Sequence, residues 1–438
     1  MERSDPNSSV SLIMDYKIQL NLFAPVIREL KRQNITINLY CPNSLNAFIT
    51  ENLETQNNLK LLNLDQLKNK YKFLSFLHKF LREIFTKSNF SFQYSMRPVE
   101  LRQSNAFDNF KYVLIRNLAK ISPKIKNHSI NKFLSTCLEL VSPKKIFKDK
   151  IVITSSLNSV PYLLSAKDNE IITFMESWDH AVKVPNGYVS NIVFGWNKDL
   201  CEDWAKYQND KNIKVFYPAK LQPATSYNQT DNIKKTKIVY SVATTKRFSN
   251  KDYFDIEHKI ISHLARLTSK LGLKLILKLR PNGSTDDFID IRRKFDHISI
   301  TSLAESNVNI APNYFLSKEY NFKRFNEISD ASLIINAFTT FGLDAALAGF
   351  NVLQLDLRNL KGFEESSLIF NRFHIKKYLL GLSHTCKPNK NFDEIAVDLL
   401  DLSSSEQYSK LLLKWIDFPE DTNETVRMAV SSIFQRKN

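Results

Sequence analysis

Three side chains that could transfer protons follow one short apolar run in the middle of the sequence. Glu176, Asp179 and His180 come directly after residues 171–175, and a second apolar run, 191–196, follows a turn that contains proline and glycine. Short apolar runs without helical periodicity are typical of buried strands in a parallel sheet, and such sheets bind ligands just beyond the carboxyl ends of their strands. The pattern predicts Asp179 or His180 as a general base, with Glu176 as the third candidate.

The same segment has a purely structural interpretation. Trp178 would then belong to the hydrophobic core, and Asp179 would cap a helix. Both interpretations place the segment at the end of a strand, but only the first predicts chemistry there.

Hydroxyl and cationic side chains follow two predicted strands in the second half of the chain. The loop 242–249 contains Thr244 and Lys246, which could hold a phosphate together with backbone amides. Lys278 and Arg280 occupy alternate positions at a strand end, so both should point to the same side and could bind one anion. A surface turn and solvated edge charges are the alternative interpretations.

A third segment leads a predicted strand directly into a predicted helix. Its polar residues are Asn336, Thr339, Thr340 and Asp344. Thr339 is expected to cap the helix, whose first amides would attract a diphosphate, and Asp344 is placed to accept hydrogen bonds from a ribose. Capping alone explains the threonines, but it does not explain Asp344 together with the two cationic loops.

Length and composition predict two domains and a location inside the cell. The 438 residues exceed the usual size of one hydrophobic core. No run approaches the roughly 20 apolar residues of a membrane-spanning helix, and residues 1–9 lack the basic and then apolar pattern of a signal peptide. The four cysteines have no paired spacing, which indicates buried thiols in a reducing compartment. We therefore expect a cytoplasmic protein.

Glycine is absent from the first part of the chain. All eight glycines lie at or after Gly187. A glycine-rich dinucleotide or P-loop motif is thereby excluded before that position, which argues against NAD-linked or P-loop chemistry there.

The net charge of +16 is concentrated in one block. Residues 68–150 contain 18 Lys and Arg against 5 Asp and Glu. Within this block, residues 67–85 have an apolar helical face with interleaved cationic and aromatic residues, which suits an anionic membrane surface and would place the protein peripherally on the inner membrane face. A helix packed on its own domain with a solvated basic face is the more common arrangement. Nucleic acid is not expected as a partner, because no recognition motif accompanies the block.

Strands and helices alternate in both halves, which predicts parallel sheets with right-handed crossovers. The predicted strands are 10–14, 34–41, 58–64, 151–154, 171–175, 191–196, 237–241, 274–279, 297–301, 331–336 and 352–357. The predicted helices are 15–32, 67–85, 159–166, 253–271, 287–295, 322–328 and 340–348. Pro25 predicts a kink or a helix start within the first helix.

The expected fold class is α/β, with two Rossmann-like domains whose parallel sheets face a central cleft. The expected parts are an amino-terminal domain at 1–217 with a basic helical insertion at 67–147, a linker at 218–236, a carboxyl-terminal domain at 237–390, and carboxyl-terminal helices at 391–438. The linker is predicted because that segment is polar, contains prolines and lacks apolar periodicity.

Several of these segments resemble a known family. The chain is similar to glycosyltransferases of the GT-B fold, especially bacterial enzymes of surface-polysaccharide synthesis and CDP-glycerol glycerophosphotransferases. The residues that carry this resemblance are Ser177-Trp178-Asp179, Lys183, Trp196-Asn197, Lys278-Leu279-Arg280-Pro281 and the segment from Ser329-Asp330 to Asp344. The resemblance spans about residues 151–357. Two departures are Arg280-Pro281, where many relatives have His-Pro, and Asp344, where relatives commonly have Glu.

The resemblance implies a metal-independent glycosyltransferase that moves a sugar from a nucleotide-activated donor to a cell-surface polysaccharide or glycolipid acceptor. The donor would contact Lys278, Arg280, Thr339, Thr340 and Asp344 of the carboxyl-terminal domain, and the acceptor would meet the amino-terminal domain. Because cations would neutralise the leaving diphosphate, no metal and no cofactor beyond the nucleotide-sugar co-substrate is expected.

Three alternatives share this architecture. They are a CDP-glycerol-type phospho-polyol transferase, a nucleotide-sugar 2-epimerase that acts without an acceptor, and a non-catalytic nucleotide- or carbohydrate-binding protein. Turnover of a panel of nucleotide sugars would separate the enzymes from the binding protein.

Overall fold

The computed structural model describes residues 9–53, 58–74, 145–155, 168–176, 178, 190–207, 212–216, 236–243, 251–279, 284–302, 325–337, 339–355, 377–378, 384–386 and 422–434. The described strands form two parallel sheets, as the alternating pattern predicted. The fold is α/β with two Rossmann-like domains, and the lobes built on the two sheets are called here the first and the second lobe.

The first sheet has the strand order β3-β2-β1-β4-β5-β6-β7. Its strands are β1 (Ser9–Ile13), β2 (Thr36–Cys41), β3 (Leu59–Asn63), β4 (Ile151–Thr154), β5 (Glu170–Phe174), β6 (Ile192–Gly195) and β7 (Ile213–Val215). The helices described between them are α1 (Leu20–Arg32), α2 (Asn46–Asn52), α3 (Leu64–Lys70) and α4 (Lys198–Tyr207).

The second sheet has the order β10-β9-β8-β11-β12-β13. Its strands are β8 (Lys237–Ser241), β9 (Lys274–Leu279), β10 (Ile298–Ser302), β11 (Ala331–Asn336), β12 (Val352–Leu355) and β13 (His384–Cys386). The helices described in this half are α5 (Lys251–Lys270), α6 (Ile289–Lys294), α7 (Phe341–Leu347) and the terminal α8 (Thr422–Phe434).

In both sheets, the strands that follow the first strand are added on one side of it, and the next strands are added on its other side. In the first sheet, β2 and β3 extend to one side of β1, and β4 pairs with β1 on the other side. In the second sheet, β9 and β10 extend to one side of β8, and β11 pairs with it on the other side. Ligands of open α/β sheets bind at such a reversal, beyond the carboxyl ends of the strands.

The terminal helix α8 packs on the first lobe although it comes last in the chain. Val430 and Ile433 of α8 are buried in the same cluster as Val26 of α1 and Leu12 of β1. Burial of these aliphatic side chains stabilises the return of the chain to the first lobe.

The strand predictions are confirmed, since each predicted strand is present with its bounds within two residues wherever the structure describes them. The structure adds β7 and β13, which sequence analysis did not predict because three-residue strands are too short to show a periodic pattern. The helix α1 begins at Leu20, after a 3-10 turn at Lys17–Gln19, and continues through Pro25. Pro25 therefore does not mark the helix start.

The single helix predicted at 67–85 is wrong in its start and its continuity. The helix α3 begins at Leu64, because the side chain of Asn63 accepts hydrogen bonds from the N–H groups of Asp65 and Gln66. It ends at Lys70, and residue 71 is a turn before helical structure resumes at 72–74.

Several predictions fall outside the described residues. The rest of the basic insertion from 75 to 144, the helix at 159–166 and nearly all of the linker belong to this group, so the membrane-surface interpretation stays a prediction. Of the helix predicted at 322–328, residues 325 and 326 are helical and residues 327–330 form a turn. Among the helices in the described part of the chain, none combines the length and the apolarity needed to cross a membrane.

Candidate functional site

A hydrogen-bonded polar cluster surrounds Glu176 at the carboxyl edge of the first sheet. Ser155 Oγ donates to Glu176 Oε2 at 2.8 Å, and Gln19 Nε2 donates to the same oxygen at 2.9 Å and to Ser155 Oγ at 3.0 Å. The Tyr16 hydroxyl donates to Glu176 Oε1. Gln19 is itself oriented by the N–H of Asp15, which donates to Gln19 Oε1 at 2.6 Å. The Glu176 carboxylate therefore accepts hydrogen bonds on both oxygens.

The topology of the sheet explains why these distant residues meet. Tyr16 and Gln19 follow β1, Ser155 follows β4 and Glu176 follows β5, and these three strands are adjacent. The cluster consequently lies at the reversal point of the sheet, where a ligand is expected. Partial burial, and then the neighbouring Glu176 carboxylate, raises the pKa of Tyr16 well above its ordinary value, although the residue is 40% exposed overall. The phenol thus remains protonated and acts as a hydrogen-bond donor.

A second carboxylate lies beside this cluster. Asp15 follows β1, its side chain is 7% exposed, and its Oδ1 forms an ion pair with Lys68 Nζ at 2.9 Å. Its Oδ2 is buried and has no hydrogen-bond partner among the described residues. Asp15 was not among the predicted site residues, although its position directly after the first predicted strand was an available indication.

Trp178 joins the two lobes. Its ring packs edge-on against Trp196 of the first lobe, with centroids 5.0 Å apart, and against Tyr378 of the second lobe at 5.9 Å. Its Nε1 lies 3.4 Å from Oδ1 of Asp344, in α7. Trp178 is 2% exposed. Because Trp178 follows β5 and Asp344 follows β11, the carboxyl edges of the two sheets face each other.

A second contact between the lobes is formed by Tyr378. Its hydroxyl accepts a hydrogen bond from Asn197 Nδ2 at 3.0 Å and donates to Asp199 Oδ2 at 2.9 Å. The adjacent Lys377 forms an ion pair with Asp199 Oδ1 at 2.6 Å. Asn197 is held in place because its Oδ1 accepts from the N–H of Leu200 at 2.9 Å, in the first turn of α4. Burial raises the pKa of the Tyr378 phenol far above its ordinary value, so the hydroxyl donates to Asp199 as a neutral group.

The segment after β11 forms a buried polar network. Thr339 Oγ1 donates to Asn336 Oδ1 at 2.5 Å and shares a 2.6 Å hydrogen bond with Ser241 Oγ at the end of β8. Asn336 Nδ2 donates to Gln354 Oε1 at 2.7 Å. The network therefore links three adjacent strands, β8, β11 and β12, at their carboxyl edge.

The predicted capping role of Thr339 is wrong. The helix α7 begins at Phe341, and Thr340 occupies the capping position without a side-chain hydrogen bond to the helix. Thr339 instead uses its hydroxyl to bond Asn336 and Ser241, which lie on two neighbouring strands. Tertiary hydrogen bonds have replaced the local one that the sequence pattern predicted.

Lys278 is almost fully buried at the end of β9. Its side chain is 5% exposed, and its Nζ lies 3.8 Å from Glu327 Oε2 and 5.1 Å from the ring centroid of Phe341 in α7. The distance to Glu327 is too long for a hydrogen bond, so the two charges form a loose ion pair. This positive charge lies beside the first turn of α7.

The structure places one catalytic candidate, Glu176, at the carboxyl edge of the first sheet. Four donor-side candidates lie at the carboxyl edge of the second sheet: Asn336, Thr339, Thr340 and Asp344. Lys278 lies beside α7 against Phe341. The remaining candidates lie outside the described residues and stay predictions: Asp179, His180, Thr244, Lys246 and Arg280.

Gly342 is required by the close approach of Asn336. A methyl group at Gly342 would lie 2.7 Å from Cγ and Nδ2 of Asn336. We expect Gly342→Ala to lower the free energy of unfolding by about 1–3 kcal/mol, as overpacking of a filled site does. Urea unfolding would measure this loss, and the double variant with Asn336→Ala should cost less than the sum of the two single variants. An unchanged unfolding midpoint in Gly342→Ala would contradict the packing argument.

Comparison with known proteins supports this architecture. The chain is similar to the structure of UGT89C1 from Arabidopsis thaliana, with a TM-score of 0.50, 11% identity and coverage of 98% of this chain and 99% of that one. It is also similar to a proposed UDP-N-acetylglucosamine 2-epimerase of Listeria monocytogenes, with a TM-score of 0.50, 11% identity and coverage of 99% and 98%. No protein-family model matches the chain, and comparison with curated protein sequences finds no match. At these identities the likeness shows the fold alone, and it confirms the GT-B architecture that the sequence motifs predicted.

Proposed function

We propose that this protein is a glycosyltransferase that moves a sugar from a nucleotide-activated donor to a glycan or glycolipid acceptor. The observation that supports this proposal is the contact between Trp178 and Asp344, which lies where the carboxyl edges of two parallel sheets face each other. Each edge is a place where an α/β sheet binds ligands. Two facing edges can hold two substrates in the orientation that group transfer needs.

The second lobe supplies the donor side in this proposal. Asp344 accepts hydrogen bonds from the ribose, and cations neutralise the diphosphate as it leaves. Lys278 contributes positive charge beside α7, and an approaching phosphate competes with Glu327, to which Lys278 is only loosely paired at 3.8 Å. The full donor set is Thr244, Lys246, Lys278, Arg280, Asn336, Thr339, Thr340 and Asp344.

The first lobe supplies the acceptor side and the base. Glu176 accepts hydrogen bonds from Tyr16, Gln19 and Ser155, so most of its acceptor capacity is already used. This arrangement suits a residue that anchors the loop following β5. Asp179 and His180, which follow Glu176 in the chain, are then the better candidates for removing the proton from the acceptor hydroxyl.

A nucleotide screen tests the proposal directly. UDP, CDP, GDP and CMP are compared by thermal shift, because a ligand that binds only the folded state raises the melting temperature by mass action. UDP heads the panel because the Listeria relative is named for a UDP-sugar. We expect one nucleoside diphosphate to raise the melting temperature, with Asp344→Ala reducing the shift. No shift with any member would refute nucleotide binding.

Turnover then separates an enzyme from a binding protein. We expect nucleotide release from one nucleotide sugar to accelerate when a glycan or glycolipid acceptor is added, and to continue in EDTA because Lys and Arg neutralise the diphosphate. Loss of turnover in EDTA would contradict metal independence, and binding without turnover would assign a non-catalytic role.

A further inference from the structure

The indole of Trp178 lies between the two lobes. Aromatic packing against Trp196 and Tyr378 fixes the ring, which is 2% exposed. Its N–H is directed at Oδ1 of Asp344, the carboxylate assigned to the donor. Trp178 also lies two positions after Glu176 in the chain, so its position depends on that of Glu176, which lies on the acceptor side.

The two contacts between the lobes differ in tightness. Around Tyr378, the distances are 3.0 Å to Asn197, 2.9 Å to Asp199 and 2.6 Å between Lys377 and Asp199. The Trp178–Asp344 distance is 3.4 Å, which exceeds the 2.7–3.2 Å typical of well-formed N–H···O hydrogen bonds. Hydrogen bonds in enzyme sites are often long without substrate and tighten in the complex. The interface therefore has a tight side, at Tyr378, and a loose side, at Asp344.

We propose that Trp178 is a positioning residue whose indole N–H closes onto Asp344 when a nucleotide binds. The cluster around Tyr378 acts as the pivot, and closure fixes Glu176 and Trp178 of the first lobe relative to the donor. This inference rests on the proposed function, because it requires a nucleotide at Asp344. In this proposal, Trp178 links the binding of the donor at Asp344 to the position of the residues on the acceptor side.

Replacement of Trp178 by phenylalanine tests this coupling. The variant keeps an aromatic ring against Trp196 and Tyr378 but removes the N–H group. Isothermal titration with UDP, CDP and GDP first identifies the nucleotide that binds the wild type. We expect W178F to bind it about three- to tenfold more weakly, the effect of one hydrogen bond.

Trp196→Phe is the matched control. It also removes a buried indole N–H, which donates to the carbonyl oxygen of Met175 at 2.7 Å within the first lobe. We expect this variant to lose some stability but to bind the nucleotide as tightly as the wild type. The pair therefore distinguishes loss of any buried indole hydrogen bond from loss of the one that crosses the lobes.

Tryptophan fluorescence gives a second readout that a purely structural role would not change. Nucleotide addition should alter the emission of the wild type and of Trp196→Phe, and the change should be absent in Trp178→Phe. Equal or tighter binding by Trp178→Phe, with the emission change retained, would overturn the inference and leave nucleotide binding by the protein intact. If the wild type binds no nucleotide at all, the proposed function and this inference fail together.

Discussion

Asp179→Asn and His180→Ala are each expected to reduce transfer by about 100- to 10,000-fold, the range that general acid–base catalysis contributes. Both residues follow Glu176 in the chain, and the Glu176 side chain is held by hydrogen bonds at the reversal point of the first sheet. Trp178, which immediately precedes Asp179 in the chain, contacts Asp344 of the second lobe. Initial rates of nucleotide release in the presence of acceptor would measure the loss.

The control for this pair is Ser177→Ala, at a neighbouring position in the chain. Its hydroxyl is not a candidate base, so transfer should stay near the wild-type rate. Melting temperatures of all three variants should match the wild type, because the replacements are small. If Asp179→Asn and His180→Ala both keep full turnover, neither Asp179 nor His180 is the base.

The pH dependence of kcat/KM would identify which residue is the base. An unperturbed imidazole loses its proton near pH 6.5 and an unperturbed aspartic acid near pH 3.9. A base must be deprotonated, so activity should fall as the pH drops through the pKa of the group in the free enzyme. An acid limb near neutrality that disappears from the residual activity of His180→Ala would assign the role to His180.

The fold could be predicted from the sequence because buried strands have a recognisable local pattern of residues. The runs at 151–154, 237–241 and 331–336 are apolar without helical periodicity, and each is a strand with those bounds. Burial on both faces of a parallel sheet requires such runs. The shortest strands, β7 and β13, are too short to show such a pattern, and they were not predicted.

The candidate site was only partly predictable, because its hydrogen bonds join residues far apart in sequence. Glu176 was identified from its position after β5, but its partners Tyr16, Gln19 and Ser155 come from the ends of β1 and β4. Their proximity depends on the strand order, which no local pattern specifies. Thr339 shows the same limit, since the strand order places Ser241 beside it and diverts its hydroxyl from the helix.

The same dependence on strand order predicts that Glu176 is needed for stability as well as for positioning. Glu176→Leu is expected to lower the free energy of unfolding by about 2–4 kcal/mol, because each buried donor left without an acceptor costs about 1–3 kcal/mol. Gln19 and Ser155, the two affected donors, are 1% and 0% exposed, and Gln19 Nε2 keeps a second acceptor in Ser155 Oγ. Tyr16 is 40% exposed and can redirect its hydroxyl to water. Urea denaturation of the wild type and the variant would measure the difference.

Two further variants test the mechanism of that loss. Glu202→Leu replaces an exposed carboxylate on α4, so it should change the stability by less than about 0.5 kcal/mol. Combining Glu176→Leu with Ser155→Ala removes a donor together with its acceptor, so the double variant should lose less than the sum of the single losses. Strict additivity would mean that the Ser155 and Glu176 side chains contribute independently, and the cluster would then not be the element that fixes the loop after β5. A shortfall below additivity, accompanied by a reduced rate of transfer, would show that the hydrogen bonds that stabilise the first lobe also position its catalytic loop.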